Sequence, residues 1–199
     1  MTSPNQYPAA CRSGTAVGAI AAPTQAAFAP FPLRVEEQPA WEWSTKLLTN
    51  EEAGANARLR ARPRLKKRYW PGNADAAIRV ADKLVDNAVR HGLPFADGCV
   101  PLRMIVCADV RELLIEVDDA YPEFPGFDEA VNMSGEPVAS PTGLWWVAHY
   151  RGRLSWSPKR DEGGVIVGKT VQVVLPITWA HARTAACPLS ELTREDPHA

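Results

Sequence analysis

The chain has 199 residues, enough for one globular domain with a sizeable core and room for tails. Hydrophobic residues make up 46% and charged residues 23%, close to an ordinary soluble protein. The net charge of -1 argues against a whole-molecule nucleic-acid or membrane-surface binder, because neither polyanion would be attracted overall. Cys11, Cys99, Cys107 and Cys187 form no C-x-x-C pair, so neither a zinc site nor a disulfide scaffold is expected. His91, His149, His181 and His198 show no metal-ligand spacing, and no apolar run approaches the roughly 20 residues that span a bilayer.

Residues 1 to about 40 are rich in Pro, Ala, Ser and Thr without a sustained apolar period. Such a segment buries too little surface to offset its ordering entropy and reads as a mobile arm. Within it, Arg12 precedes the Ala-rich stretch Thr15–Ala29, but Thr15, Pro23, Thr24 and Gln25 interrupt that stretch. It lacks the Leu/Val density of a signal-peptide core, and a cytoplasmic location is expected. Trp41 and Trp43 mark where the chain joins the folded body, which runs to residue 176 before a tail over 177–199.

The basic run Arg58–Arg68 begins in a segment that reads as helix, and Pro63 is expected to kink or divide it unless it sits in a first turn. The run reads as a solvated helical face or as a site for an anionic partner. Trp70-Pro-Gly-Asn73 is a turn, with Asn73 a candidate N-cap. Over about 74–91, Ala77, Val80, Ala81, Leu84, Val85, Ala88 and Val89 gather on one half of a helical cylinder. Arg79, Asp82, Lys83, Asp86 and Arg90 cover the other half, Asn87 falls on the border, and Gly92 stops the helix.

Two strands are expected next, Val100–Ala108 and Glu112–Asp118, joined by a short hairpin connection at 109–111. Residues Tyr121–Thr142 have no clear periodicity, and loops of that length are usually functional lids or disordered. A helix over Gly143–Tyr150 and strands Arg153–Ser157 and Val165–Leu175 complete an α+β order without internal repeats.

Four segments in this order carry a resemblance. Ala81-Asp-Lys-Leu-Val-Asp-Asn-Ala-Val-Arg-His-Gly92 resembles the Asn-bearing box of the histidine-kinase-like (Bergerat-fold) ATPases, and most of all the small bacterial anti-sigma-factor serine kinases. Glu116-Val-Asp-Asp-Ala-Tyr-Pro122 looks like the aspartate box, Thr142-Gly-Leu-Trp-Trp-Val147 like the glycine box, and Gly168-Lys-Thr-Val-Gln-Val-Val174 like the terminal strand beside adenine. The resemblance covers roughly residues 55–176.

It implies a two-layer α/β sandwich, with a mixed, largely antiparallel sheet and helices on one face. It also implies ATP and Mg²⁺ as cofactors. Asn87 matches the residue that offers a neutral oxygen to Mg²⁺, which bridges phosphate oxygens. Asp119 matches the carboxylate that accepts the amine of adenine, with Asp118 the alternative if the register shifts by one. Thr170 matches a hydroxyl at the same ring edge. Gly143 matches the start of a helix whose amides and dipole favour a phosphate. Each has a plain structural reading beside it: a surface Asn, a strand Thr, a Gly at an ordinary helix start.

The departures concern catalysis. Family kinases place a general-base Glu four residues before the Asn; here Lys83 stands there, on the same helix face as Asn87. A lysine with its ordinary pKa near 10.4 is protonated at neutral pH and accepts no proton, although it attracts phosphate. Asp82 and Asp86 point about 100° to one side. Pro141 occupies the place of a further glycine and removes an amide donor. At least one of Trp145 and Trp146 is expected in the core, with one able to fill part of the nucleotide pocket.

The function implied is regulatory: ATP binding coupled to a protein partner such as a sigma factor or its antagonist, with a homodimer allowed and no catalytic residue assigned. The alternative is a non-catalytic interaction module that keeps the fold and has lost the nucleotide.

Overall fold

From Trp41 onward, large or apolar side chains alternate with polar ones, Trp41-Glu42-Trp43-Ser44, and the chain becomes a strand, β1 (Trp41–Leu48), with the tryptophans turned toward the core. The sequence placed a boundary here but no strand. The computed structural model describes residues 39–65, 70–106, 108 and 112–177. The expected arm and tail, and the 109–111 connection, lie almost wholly outside them.

Helix α1 (Ala53–Leu65) buries Ala53, Gly54, Ala57 and Ala61, small residues that let a neighbouring helix approach closely. Pro63 does not divide it. The helix runs two residues past the proline and lacks only the bond that its amide would have made to the Leu59 carbonyl. Helix α2 (Ala74–His91) has the expected bounds, and Asn73 caps it by accepting from the Ala76 amide at 2.9 Å.

Gly92 ends α2 for a reason other than the usual left-handed cap, since its φ is −103°. A Cβ there would sit 2.5 Å from the Ala88 carbonyl oxygen and 2.6 Å from Asp119 Cγ. A side chain at this position would force the Ala88 carbonyl or the Asp119 carboxylate to shift.

Strands β2 (Cys99–Val106) and β3 (Leu113–Asp119) follow, then the short helices α3 (Phe127–Val131) and α4 (Trp145–His149), then β4 (Arg153–Arg160) and β5 (Ile166–Leu175). The five strands form one sheet in the order β1-β2-β3-β5-β4, and all four pairings are antiparallel. The expectation of a mixed sheet is corrected. Strands β3 and β4 do run the same way, but β5 lies between them and pairs antiparallel with both.

Register sorts the side chains into two faces. Leu102, Met104, Leu113, Ile115, Val117, Val171, Val173 and Leu175 join Ala77, Val80, Ala81, Leu84 and Val85 of α2 in one core. Ile105, Leu114 and Val174 form a separate cluster on the other face. The architecture is thus α+β, with a five-stranded antiparallel sheet whose one face packs against α1 and α2. Among the described residues no helix is long and apolar enough to cross a membrane.

Candidate functional site

Lys83, Asn87 and His91 are spaced four apart on α2 and form one stripe along it. Two cavities open beside this stripe, and Asn87 and His91 line both. The first, about 480 Å³, has a mainly apolar wall from Tyr121, Phe124, Met133 and Leu144, with Lys169 of β5. The second, about 370 Å³, sets Lys83, Asp86 and Arg90 opposite Pro141, Thr142 and Gly143.

The walls come from the stretch the sequence left without periodicity. Phe124 and Phe127 meet edge to face at 5.3 Å, and Trp156 of β4 lies 6.4 Å and 6.5 Å from them. This aromatic contact fixes the segment after β3 against the sheet.

In the second cavity the charges are unequal. Arg90 is held by Asp86 at 2.8 Å, an i,i+4 pair. The Lys83 ammonium stands 3.8 Å from Asp82, beyond hydrogen-bond reach, and a quarter of its side chain is exposed. Asp82 is buried against α1, where a Cβ on Gly54 would collide with its carboxylate. Asp82 thus lies outside the second cavity, and Asp86, which lines it beside Asn87, is paired with Arg90.

Asp119 ends β3 on the helix-facing side and is wholly buried. Its Oδ1 accepts from the Tyr121 amide at 2.9 Å and from Lys169 Nζ at 2.8 Å. Lys169 is its register partner across β5, is only 3% exposed, and also donates to the Tyr121 carbonyl oxygen at 3.1 Å. Asp119 Oδ2 is buried with no partner among the described residues. Burial pushes the Asp119 carboxyl above its ordinary range, while the Lys169 hydrogen bond and charge oppose that shift. Of this pair, Lys169 lines the first cavity and Asp119 does not.

The expected site residues are therefore brought together only in part. Asn87 and Gly143 share the second cavity. Thr170 sits on the opposite face of the sheet, where its hydroxyl donates to Asp118 at 2.6 Å and Lys159 holds the same carboxylate at 2.7 Å. Gly143 has φ 53°, the left-handed region that suits glycine, but does not open the helix: α4 begins at Trp145 and is five residues long. So short a helix carries little dipole, and any contact from Gly143 is that of a loop. Trp145 and Trp146 line neither cavity. Trp145 is buried and stacks on His149 at 4.5 Å, and Trp146 carries the Arg79 guanidinium at 4.5 Å.

Sequence reasoning missed Lys169, Tyr121, Phe124 and His91 as lining residues. His91 was legible as the next step of the four-residue stripe. Lys169 was legible only once Asp119 had a cross-strand partner. Asn87 offers a single neutral oxygen, and among the described residues no cluster of three or more His, Cys, Asp or Glu side chains could hold a metal ion. A divalent ion here would have to bring most of its ligands with it, as Mg²⁺ does on phosphates. Compared with known proteins, the chain matches no family model and no curated protein.

Proposed function

We propose that this chain is an ATP-binding regulatory protein with a Bergerat-type fold, resembling the anti-sigma-factor serine kinases, that does not transfer phosphate. One observation carries the reading: an apolar cavity and a cationic cavity adjoin at Asn87 and His91. The first suits a flat base; the second suits phosphates, with Lys83 as attracting charge and Asn87 as an oxygen ligand for accompanying Mg²⁺. Loss of a general base typically costs about 10²–10⁴-fold in rate, and Lys83 in that place leaves binding without chemistry. Binding then acts through a protein partner, such as a sigma factor or its antagonist, in the cytoplasm.

A second reading is favoured by the buried Asp119–Lys169 pair, which covers the carboxylate that would read adenine. In it the fold persists as an interaction module without nucleotide.

Titration calorimetry of the intact chain with ATP and Mg²⁺ separates the two. Saturable heat is expected, weakened about tenfold or more in Asn87→Ala if one charge-assisted contact is lost. Hydrolysis is expected to stay at background in the parent. No heat from the parent supports the interaction module instead, and substantial hydrolysis abolished by Asn87→Ala overturns the assignment of Lys83.

A further inference from the structure

The basic run singled out in the sequence divides once it is folded. Arg60 turns toward β1, donating to Thr45 Oγ1 and the Lys46 carbonyl oxygen, both at 2.9 Å. Arg58 and Arg62 turn the other way and meet Arg79 of α2 across a groove of about 550 Å³, which Leu59, Asp75 and Tyr150 also line. None of these residues lines either cavity of the candidate site.

We propose that this groove is a docking site for an acidic, amphipathic segment of a partner protein. Three guanidinium groups stand against two carboxylates, Asp75 in the lining and Asp82 behind it, so the groove keeps a small excess of positive charge. Arg62 pairs with Asp75 at 3.2 Å and Arg58 with Asp82 at 3.6 Å. The Arg79 guanidinium lies 4.5 Å over the Trp146 ring, which orients it without neutralising it. Rigid planar forks so placed suit carboxylates, which they bind in bidentate fashion. Leu59 stands beside them 71% exposed, an apolar contact for the same segment.

A protein occupant is preferred over nucleic acid because the arginines share the groove with exposed Leu59, an apolar contact that the side chains of a peptide can meet and a phosphate backbone cannot. The inference names the surface for the partner in the proposed function and does not depend on nucleotide binding.

The test selects random linear peptides displayed on phage against the intact chain, then measures fluorescent synthetic copies of the winners by anisotropy. The expected winners are enriched in Asp and Glu with an apolar residue nearby. They should bind Arg58→Gln/Arg62→Gln/Arg79→Gln about tenfold or more weakly, since each charge-assisted bond is worth about that factor. Lys46→Gln, an exposed charge change on β1, should leave binding unchanged.

Arg62→Gln and Arg79→Gln are measured singly as well, with thermal midpoints, so that misfolding of the triple variant is recognised and each arginine is still tested. Winners without acidic enrichment, or equal binding to folded variants, overturn the proposal. So does binding of a fluorescent DNA duplex through the same arginines when acidic peptides do not bind. ATP calorimetry on the same variants keeps the two readings apart: the variants should bind ATP as the parent does. A parent silent toward ATP sinks the nucleotide reading and leaves the groove standing.

Discussion

Lys169 and Asp119 take two charges out of water together, at 2.8 Å. Removing one partner of such a pair typically costs about 3–5 kcal/mol, because the other charge is left buried and uncompensated. Lys169→Met is expected to lower unfolding free energy by about that amount in urea titrations at neutral pH. A loss below about 1 kcal/mol would mean that water reaches the pair. The pH dependence has a definite sign. A carboxyl whose folded pKa is raised above the unfolded value binds its proton more tightly when folded. Its contribution therefore favours folding at low pH and is lost as pH rises through the folded pKa. In the parent Lys169 opposes the rise; in Lys169→Met burial is opposed only by the backbone hydrogen bonds from Tyr121 and Leu93, so the variant's deficit should shrink on acidification. The sequence placed Asp119 at its strand end and Thr170 at the same ring edge; the register pairs Asp119 with Lys169. In a strand one residue is the difference between faces, and Thr170 falls to Asp118 instead.

Among the elements, α2 was legible to its bounds because its apolar stripe repeats over 18 residues and Asn73 caps it. Strand β1 carried a period-2 signal in Trp41, Trp43 and Leu47, but on too few residues beside a proline-rich segment to separate a strand from a boundary. Helix α3 has five residues and no side-chain cap, too short to show a period, and its aromatic contacts come from far along the chain. Gly92 was read as a helix stop; the structure adds that α2 and β3 meet there. Gly92→Ala should cost about 1–3 kcal/mol, the range for forcing a methyl into packed space, because both the Ala88 carbonyl and the Asp119 carboxylate must give way. The measurement is the urea midpoint, with the slope unchanged. An unaltered midpoint would show that the end of α2 yields freely.

At the scale of the molecule, strand directions and the position of β5 between β3 and β4 are long-range facts that no local pattern states. The two cavities depend on them, since Lys169 reaches the first only because β5 lies beside β3. What the sequence states locally is where a core can form. The described elements run from Trp41 to Leu175, and among the described residues the main core cluster is built from them and the turns that join them. Residues 1–38 are rich in proline, alanine, serine and threonine and lack a sustained apolar period, so their few large apolar side chains form no continuous face to bury. A chain beginning at Pro39 should therefore fold with the thermal midpoint of the full chain. The starting point is chosen to spare Ala40, whose amide donates to the Val106 carbonyl oxygen at 3.0 Å and extends the β1–β2 ladder. For a domain of this size a change of 1 kcal/mol moves the midpoint by roughly 2–8 °C, so a shift within about 2 °C counts as none. A larger fall would assign the first 38 residues a place on the domain, and the apolar cluster Ile105, Leu114 and Val174 on the far sheet face is where such a place would be sought.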